Sequence, residues 1–384
     1  MEFEESAEQA ALRAAVREIT AGFGGAYYTE KAEAGKPTTE LWQALAAPGF
    51  IGVNIAEEYG GGGAGLAELT IVCEESAAQG CPMLLLLVSS AISAEVISRY
   101  GNDDQRQEWL PRLASGESKV VFAITEPDAG SNTRRLSVTA TRDGGEWILR
   151  GTKYYISGVD QADAILVVAR TGTEPDSGHA RLSLFLVDAD AAGLVREPLP
   201  VAARLPEKQF TLRFDDTRIP ADRLVGEQDH GFAQVFHGLN PERITGAALG
   251  VGIGRYALAR AAEYAKARQV WDVPVGAHQG IAHPLAQAKI EVELAGLMTA
   301  KAAWQHDHGM PAGDAANMAK YAAAEASLAA LNAAIQTHGG NGMSRDFGLL
   351  PLWDLARLLR IAPVSREMIL NYVAQHALGL PRSY

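Results

Sequence analysis

Val120-Val121-Phe122-Ala123-Ile124 marks the point at which the hydrophobic pattern of this chain changes. Upstream of it, apolar residues recur at three- and four-residue spacing. Ser6-Ala7-Glu8-Gln9 reads as a capping box, with Leu12, Val16 and Ile19 following on one helical face. Pro37-Thr38-Thr39-Glu40, ahead of Leu41, Trp42 and Leu45, marks a second helix start, and Gly60-Gly61-Gly62-Gly63-Ala64-Gly65 is a loop. From Val120 onward, short apolar or alternating runs take over at 137–141, 147–149, 165–169, 182–187 and 210–214, and Asp143-Gly144-Gly145 is a hairpin signal. No helical stretch separates these runs, so they predict a small antiparallel barrel or sandwich rather than βαβ units. After Ile219-Pro220 and Gly226 the helical pattern returns, with Ala-rich stretches over 256–268, 285–305 and 314–335 that suit a four-helix bundle. The expected class is α+β: an N-terminal all-α domain over 1–118, a central β domain over 119–228 and a C-terminal helical bundle over 229–384.

Composition narrows the function. With 384 residues and 47% apolar side chains the chain buries a large core, which excludes disorder. Its formal charge of −12, from 34 Lys and Arg against 46 Asp and Glu, opposes binding to nucleic acid or anionic membrane, and no basic run overrides it. Met83-Leu84-Leu85-Leu86-Leu87-Val88 is too short to span a bilayer and reads as a buried helix. Two cysteines, Cys73 and Cys81, make neither a disulfide scaffold nor a four-ligand metal site, and the acidic opening Met1-Glu2-Phe3-Glu4-Glu5 is unlike a signal peptide. A cytoplasmic protein is expected.

Several glycine and histidine patterns weigh little. Gly250-Val251-Gly252-Ile253-Gly254 lacks the spacing, the preceding strand and the βαβ unit of a dinucleotide site. Gly246, Gly250 and Gly254 instead share a helix face where another helix can approach closely. His278 and His283 have no carboxylate or cysteine partner nearby, so no metal site is expected. Two loops are more purposeful. Thr125-Glu126-Pro127-Asp128-Ala129-Gly130-Ser131-Asn132 follows a strand and offers hydroxyls and backbone N–H groups, the features that cradle a polar or phosphorylated ligand; a generic turn is the alternative. His338-Gly339-Gly340-Asn341-Gly342 carries more glycine than a helix cap requires.

The first of these loops resembles the signature of the acyl-CoA dehydrogenase family, with Asn132 where aspartate is usual. Gly151-Thr152-Lys153-Tyr154-Tyr155-Ile156-Ser157-Gly158 resembles the next family marker, with Tyr155 where tryptophan or phenylalanine is common. Tyr264-Ala265, Arg268 and Trp271, with Pro274 and Gln279, are similar to its helix-to-loop motif, and Gln336-Thr337-His338-Gly339-Gly340-Asn341-Gly342 to its last glycine motif. The resemblance extends over the whole chain and implies FAD as cofactor. Phe122, Ile124, Thr125, Ser131, Tyr155, Ser157 and Ser365 would then line the flavin. Arg268, Gln279, Gln336 and Gly340 would reach its pyrophosphate and adenosine part from a neighbouring subunit, in a homotetramer arranged as a dimer of dimers, and Trp271 and Gly339 would also bind the cofactor.

The implied reaction is α,β-desaturation of an acyl-CoA thioester to the trans-2-enoyl-CoA: a base takes the α-proton, the β-hydrogen leaves as hydride to flavin N5, and an electron-transfer flavoprotein receives the electrons. Most relatives place the base near the C-terminus, where this chain has Ile361-Ala362-Pro363-Val364-Ser365-Arg366-Glu367, with proline at the matching position. Isovaleryl-CoA and long-chain acyl-CoA dehydrogenases instead carry glutamate immediately before a helix arginine, as in Leu239-Asn240-Pro241-Glu242-Arg243-Ile244. The resemblance makes Glu242 the catalytic base; the alternatives are a solvated glutamate in the first turn of a helix starting at Pro241, and Glu367 as the base. Ser131 and Arg243 are expected at the substrate, Arg243 on the CoA side or holding the local loop. Pro363 offers no N–H, so the N–H of Val364 or a flavin ribityl hydroxyl is expected to polarise the thioester carbonyl. Phe122, Trp271 and residues 84–88 are candidates for shaping the acyl pocket. An oxidase on the same scaffold, and a flavin- or acyl-CoA-binding subunit without catalysis, remain the alternative functions.

Overall fold

The computed structural model describes residues 4–382; Met1, Glu2 and Phe3 of the acidic opening, and Ser383 and Tyr384, lie outside the described residues. The N-terminal part is helical: α1 (Ala7–Ala21), α2 (Gly24–Ala34), α3 (Thr39–Ala46), α4 (Leu66–Ala78), α5 (Ala94–Tyr100) and α6 (Asp103–Ala114). The Ser6 hydroxyl accepts from Gln9 N at 3.1 Å while Ser6 N donates to the Gln9 side chain at 3.1 Å, which completes the capping box of α1. Arg13 and Arg17 on α1 then reach Glu74 and Glu75 on α4 at 2.8 and 2.7 Å and fix the pair of helices.

Met83 to Leu87 of the apolar run before α5 are buried and Val88 is half-buried, but from Leu86 the chain forms a π-helix, Leu86–Ser93. Its widened turn is closed by the Ser93 hydroxyl, which donates to Val88 O at 3.0 Å. The start of this segment is held from the β domain, where Leu84 N donates to the Glu207 carboxylate at 3.0 Å. Glu207 is buried, its second oxygen has no hydrogen-bond partner, and burial pushes the carboxyl up to about 7.

The central sheet has the order β6 (Leu194–Pro198), β7 (Gln209–Pro220), β3 (Glu146–Ser157), β2 (Thr139–Asp143), β4 (Ala164–Thr173), β5 (Ala180–Asp188) and β8 (Leu224–Val225), with β1 (Val120–Ala123) paired to β4. The hairpin turn at 144–145 joins β2 to β3 as the sequence predicts. The sheet departs from the expected antiparallel pattern at β4, which pairs in parallel with β1 along Val120–Ala123 and with β2 at Thr139. The reason is the connection: the Thr125–Asn132 loop and the β2–β3 hairpin carry the chain far enough for β4 to return in the direction of β1.

The C-terminal part is built on three long helices, α7 (Gly231–Ala267), α8 (Gln279–Asp307) and α9 (Gly313–His338), followed by α10 (Leu350–Ile361) and α11 (Arg366–Tyr372). Two short strands, β9 (Gln269–Val270) and β10 (Val273–Pro274), form the turn between α7 and α8. The sequence places the three spaced glycines against another helix, and the structure gives each a different neighbour. A Cβ on Gly246 would meet Leu87 and Leu359, one on Gly250 the Ala323 backbone of α9, and one on Gly254 the Val292 side chain of α8. Gly252 faces the Glu74 carbonyl and Ala77 of α4, so the Gly250–Gly254 stretch is a packing seam inside α7 and no nucleotide loop. Among the described residues no helix is long and apolar enough to cross a membrane.

Candidate active site

The first group of predicted residues gathers where β1 ends. Phe122 is buried and Ile124 half-buried, and both belong to an apolar cluster with Val88 and Ile92 of the π-helical segment and Val235 and Leu239 of α7. Beyond Ile124 the loop is tied to β3: Tyr154 N donates to Thr125 O at 2.8 Å, and Lys153 Nζ donates to Ile124 O at 2.8 Å. Lys153 also pairs with Glu126 at 2.9 Å, both almost fully buried. Glu126 accepts in addition from Ser137 N and Oγ at 2.6 and 2.7 Å and from Val138 N at 3.0 Å. Burial pushes the Lys153 ammonium down to about 8 against the pull of Glu126. The same burial would raise Glu126, but Lys153 and the Ser137 donors outweigh it and hold the carboxylate low. Two of the three ammonium donors and both carboxylate oxygens of the pair thus tie the loop to β3 and to the segment leading into β2.

On the open side of this loop Ser131 is exposed, and Tyr155 is 54% exposed on a left-handed backbone, φ 56°. Tyr155 stands at a register shift of β3, and its exposed ring meets that of Tyr154 edge to face at 4.6 Å. Ser157 is engaged by Gln209, with 3.0 Å between Oγ and the side-chain oxygen. Phe122, Ile124, Thr125, Tyr155 and Ser157 are therefore on adjoining strand ends.

The candidate base lies in the neighbouring helix. Pro241 does not begin a helix, as the first-turn alternative for Glu242 assumes; it lies inside α7, which starts at Gly231. The dipole argument for a solvated first-turn glutamate therefore fails here. Glu242 is partly buried, and burial pushes its carboxyl up to about 7 although the nearby charges of Arg243 and Lys320 pull it down. Arg243 is buried, and its Nη1 donates to Leu239 O at 3.3 Å and to the Asn240 side chain at 2.9 Å, while Nε has no partner. Its hydrogen bonds within the chain are to its own helix, and Tyr372 faces it from the end of α11. Glu367, by contrast, is exposed on the first turn of α11 and faces Arg366 at 3.5 Å. Ser365 caps that helix, accepting from Met368 N at 3.3 Å.

Lys320, on α9, has no counterpart among the sequence candidates. It is 2% exposed and donates to Val364 O at 2.5 Å, next to the cis Ala362–Pro363 peptide. The available signal was a single cation in an otherwise Ala-rich helix, at a position that the periodicity assigns to the buried face.

The remaining candidates stand at the far end of α7. Arg268 is its C-cap, 26 residues beyond Glu242, which is roughly 39 Å along the helix axis. Trp271 is 84% exposed with φ 51°, and Gln279, Gln336, Gly339 and Gly340 are exposed. A Cβ on Gly339 or Gly340 would meet nothing within 4 Å, and the Tyr264–His338 ring stack at 4.2 Å holds this end of α7 against α9. A surface of arginine, amide, glycine backbone and open indole fits the anionic and planar parts of a dinucleotide, and the exposed Tyr155 and Ser131 at the other end fit its ring.

Comparisons agree in all three parts of the chain. The N-terminal, middle and C-terminal domains of acyl-CoA dehydrogenase match residues 6–117, 121–217 and 229–378. The chain is 55% identical to acyl-CoA dehydrogenase FadE12 of Mycobacterium tuberculosis over 384 residues, covering 100% of this chain and 99% of that protein. Its fold superposes on butyryl-CoA dehydrogenase from Megasphaera elsdenii with a TM-score of 0.92 at 26% identity, covering 98% of this chain and 100% of that one. It superposes equally on the FAD complex of PigA, with a TM-score of 0.92 at 26% identity over 99% of this chain and 100% of that one. The chain belongs to the acyl-CoA dehydrogenase family, FAD-dependent oxidoreductases that act on CH–CH bonds.

Proposed function

We propose that this chain desaturates an acyl-CoA thioester between its α- and β-carbons, with Glu242 as the group that takes the α-proton. The observation that carries this is the environment of Glu242: a carboxyl about three turns inside α7, half-buried beside the buried cations Arg243 and Lys320, with burial pushing it up to about 7. A base is most effective when its pKa lies near the working pH, since it is then both available and strong enough to accept. The turn at 362–365 contains no carboxylate that could compete. As charge develops on the thioester oxygen a donor must meet it, and with Pro363 lacking an N–H we assign that task to Val364 N–H or a ribityl hydroxyl.

When bound, FAD supplies the two-electron acceptor for the hydrogen that leaves the β-carbon. Phe122, Ile124, Thr125, Ser131, Tyr155, Ser157 and Ser365 would hold its ring end. Arg268, Trp271, Gln279, Gln336, Gly339 and Gly340 would hold its pyrophosphate and adenosine end in a neighbouring subunit; the separation of the two groups along α7 supports such a shared site. Exposed Ile290, Leu294, Leu297 and Trp304 on α8 support the homotetramer, since single chains seldom leave such a stripe to solvent. Ser131 and Arg243 are assigned to the substrate side, and an electron-transfer flavoprotein to the electrons. The test is anaerobic flavin bleaching by a panel of straight, branched, aromatic and cyclic acyl-CoAs, followed by air. Bleaching with slow reoxidation in air supports the dehydrogenase; rapid reoxidation would make the protein an oxidase, and no bleaching by any thioester would refute the activity.

A further inference from the structure

α7 and α9 run parallel and in step: Gly250 abuts the Ala323 backbone and, further along, Tyr264 stacks on His338. Lys320 therefore stands near the level of Ala247. Helical side chains lean toward the N-terminus of their own helix, so its long stem reaches back to the level of Arg243 and Glu242. The side chain is buried, and one of the three ammonium donors is spent on Val364 O at 2.5 Å. A buried ammonium bound only to a backbone carbonyl keeps its positive charge uncompensated unless a carboxylate lies close by.

We propose that Lys320 is the positioning residue of the base: anchored on the Val364 carbonyl, its ammonium holds the Glu242 carboxylate ionised and fixes the 362–365 turn beside it. The proposal rests on the reading of Glu242 as the base. The charged and titratable groups around the pair are Arg243 on α7, Glu325 on α9, Glu367 on α11, and Tyr372, which faces Arg243 from the end of α11. Burial pushes Lys320 down to about 8 while Glu242 pulls it up, so the ammonium persists through the range in which Glu242 loses its proton. Without Lys320, burial opposes the carboxylate with Arg243 as the remaining positive charge, so part of the stabilisation of the ionised form is lost and part is kept.

The experiment measures kcat/KM against pH for FAD-loaded wild type, Lys320→Met, Lys320→Arg and Glu242→Gln, with FAD content and melting temperature recorded for each. Loss of the charge is expected to move the acid limb of the Lys320→Met profile upward by about one pH unit, while Lys320→Arg keeps the wild-type limb. Lys320→Gln is read in its place where Lys320→Met does not load FAD. A loaded charge-removing variant whose acid limb coincides with that of the wild type overturns the role of Lys320. The Glu242 reading fails separately, if Glu242→Gln turns over as fast as wild type.

Discussion

Lys153 and Glu126 meet at 2.9 Å with essentially no exposed side-chain surface, and between them they fasten β3, the end of β1 and the start of the segment leading into β2. The ion pair is the internal skeleton of the loop that carries Thr125 and Ser131. Replacing Lys153 by Met leaves a buried carboxylate with no counter-charge, which is expected to cost about 3–5 kcal/mol. Adding Glu126→Leu should return part of that loss, because it removes the stranded charge. Urea unfolding of the three proteins checks the stability, and the flavin absorbance retained after gel filtration checks whether the loop still holds FAD.

Glu207 gives a pH-dependent prediction. Its folded-state value of about 7 lies above the ordinary 4.5, so the stability it contributes is complete below 4.5 and is lost as pH rises through 7. Glu207→Gln keeps an acceptor for Leu84 N and resembles the protonated carboxyl at every pH. The variant should melt close to wild type at pH 5 and above it at pH 8, with a difference of up to about 3 kcal/mol. Thermal melts at the two pH values decide, and equal melting points at pH 8 would count against a buried charge at this position.

Gly252 tests the seam between α7 and α4. A methyl group there would sit 2.6 Å from the Ala77 side chain and press on the Glu74 backbone carbonyl, neither of which can yield without moving α4. Gly252→Ala is expected to destabilise by about 1–3 kcal/mol or more. Gly340→Ala, with open space around its Cβ, should leave chain stability nearly unchanged. Parallel denaturant melts of the two variants check the contrast.

Much of this architecture was legible in the sequence, because local rules dominate where it was read. The capping box at Ser6, the change of period at Val120 and the hairpin at Asp143 each depend on residues within a few positions of one another. What escaped depends on distant partners. Pro241 reads as a helix start because proline is favoured in first turns, yet tertiary packing carries α7 through it. The parallel pairing of β1 with β4 joins residues more than forty positions apart, which no alternation of side chains reveals. Lys320 stands alone among alanines in the sequence, and its partner Val364 is 44 residues away.

Arg268 separates cofactor binding from stability. It is an exposed C-cap, so Arg268→Ala should change the melting point of the FAD-free chain very little, by less than about 0.5 kcal/mol in stability. If its guanidinium meets the pyrophosphate, loss of that charge-assisted contact should weaken FAD binding by about tenfold or more. Flavin titration of the apoprotein measures the ratio, and unchanged affinity would remove Arg268 from the cofactor site.

The most direct test of the account is the rate of anaerobic flavin bleaching by a reactive acyl-CoA in Glu242→Gln against wild type, both fully loaded with FAD. Glutamine preserves the shape of the side chain and removes its capacity to take a proton. The account predicts a fall of about 10²–10⁴ in the bleaching rate. Bleaching of Glu242→Gln at the wild-type rate would contradict it.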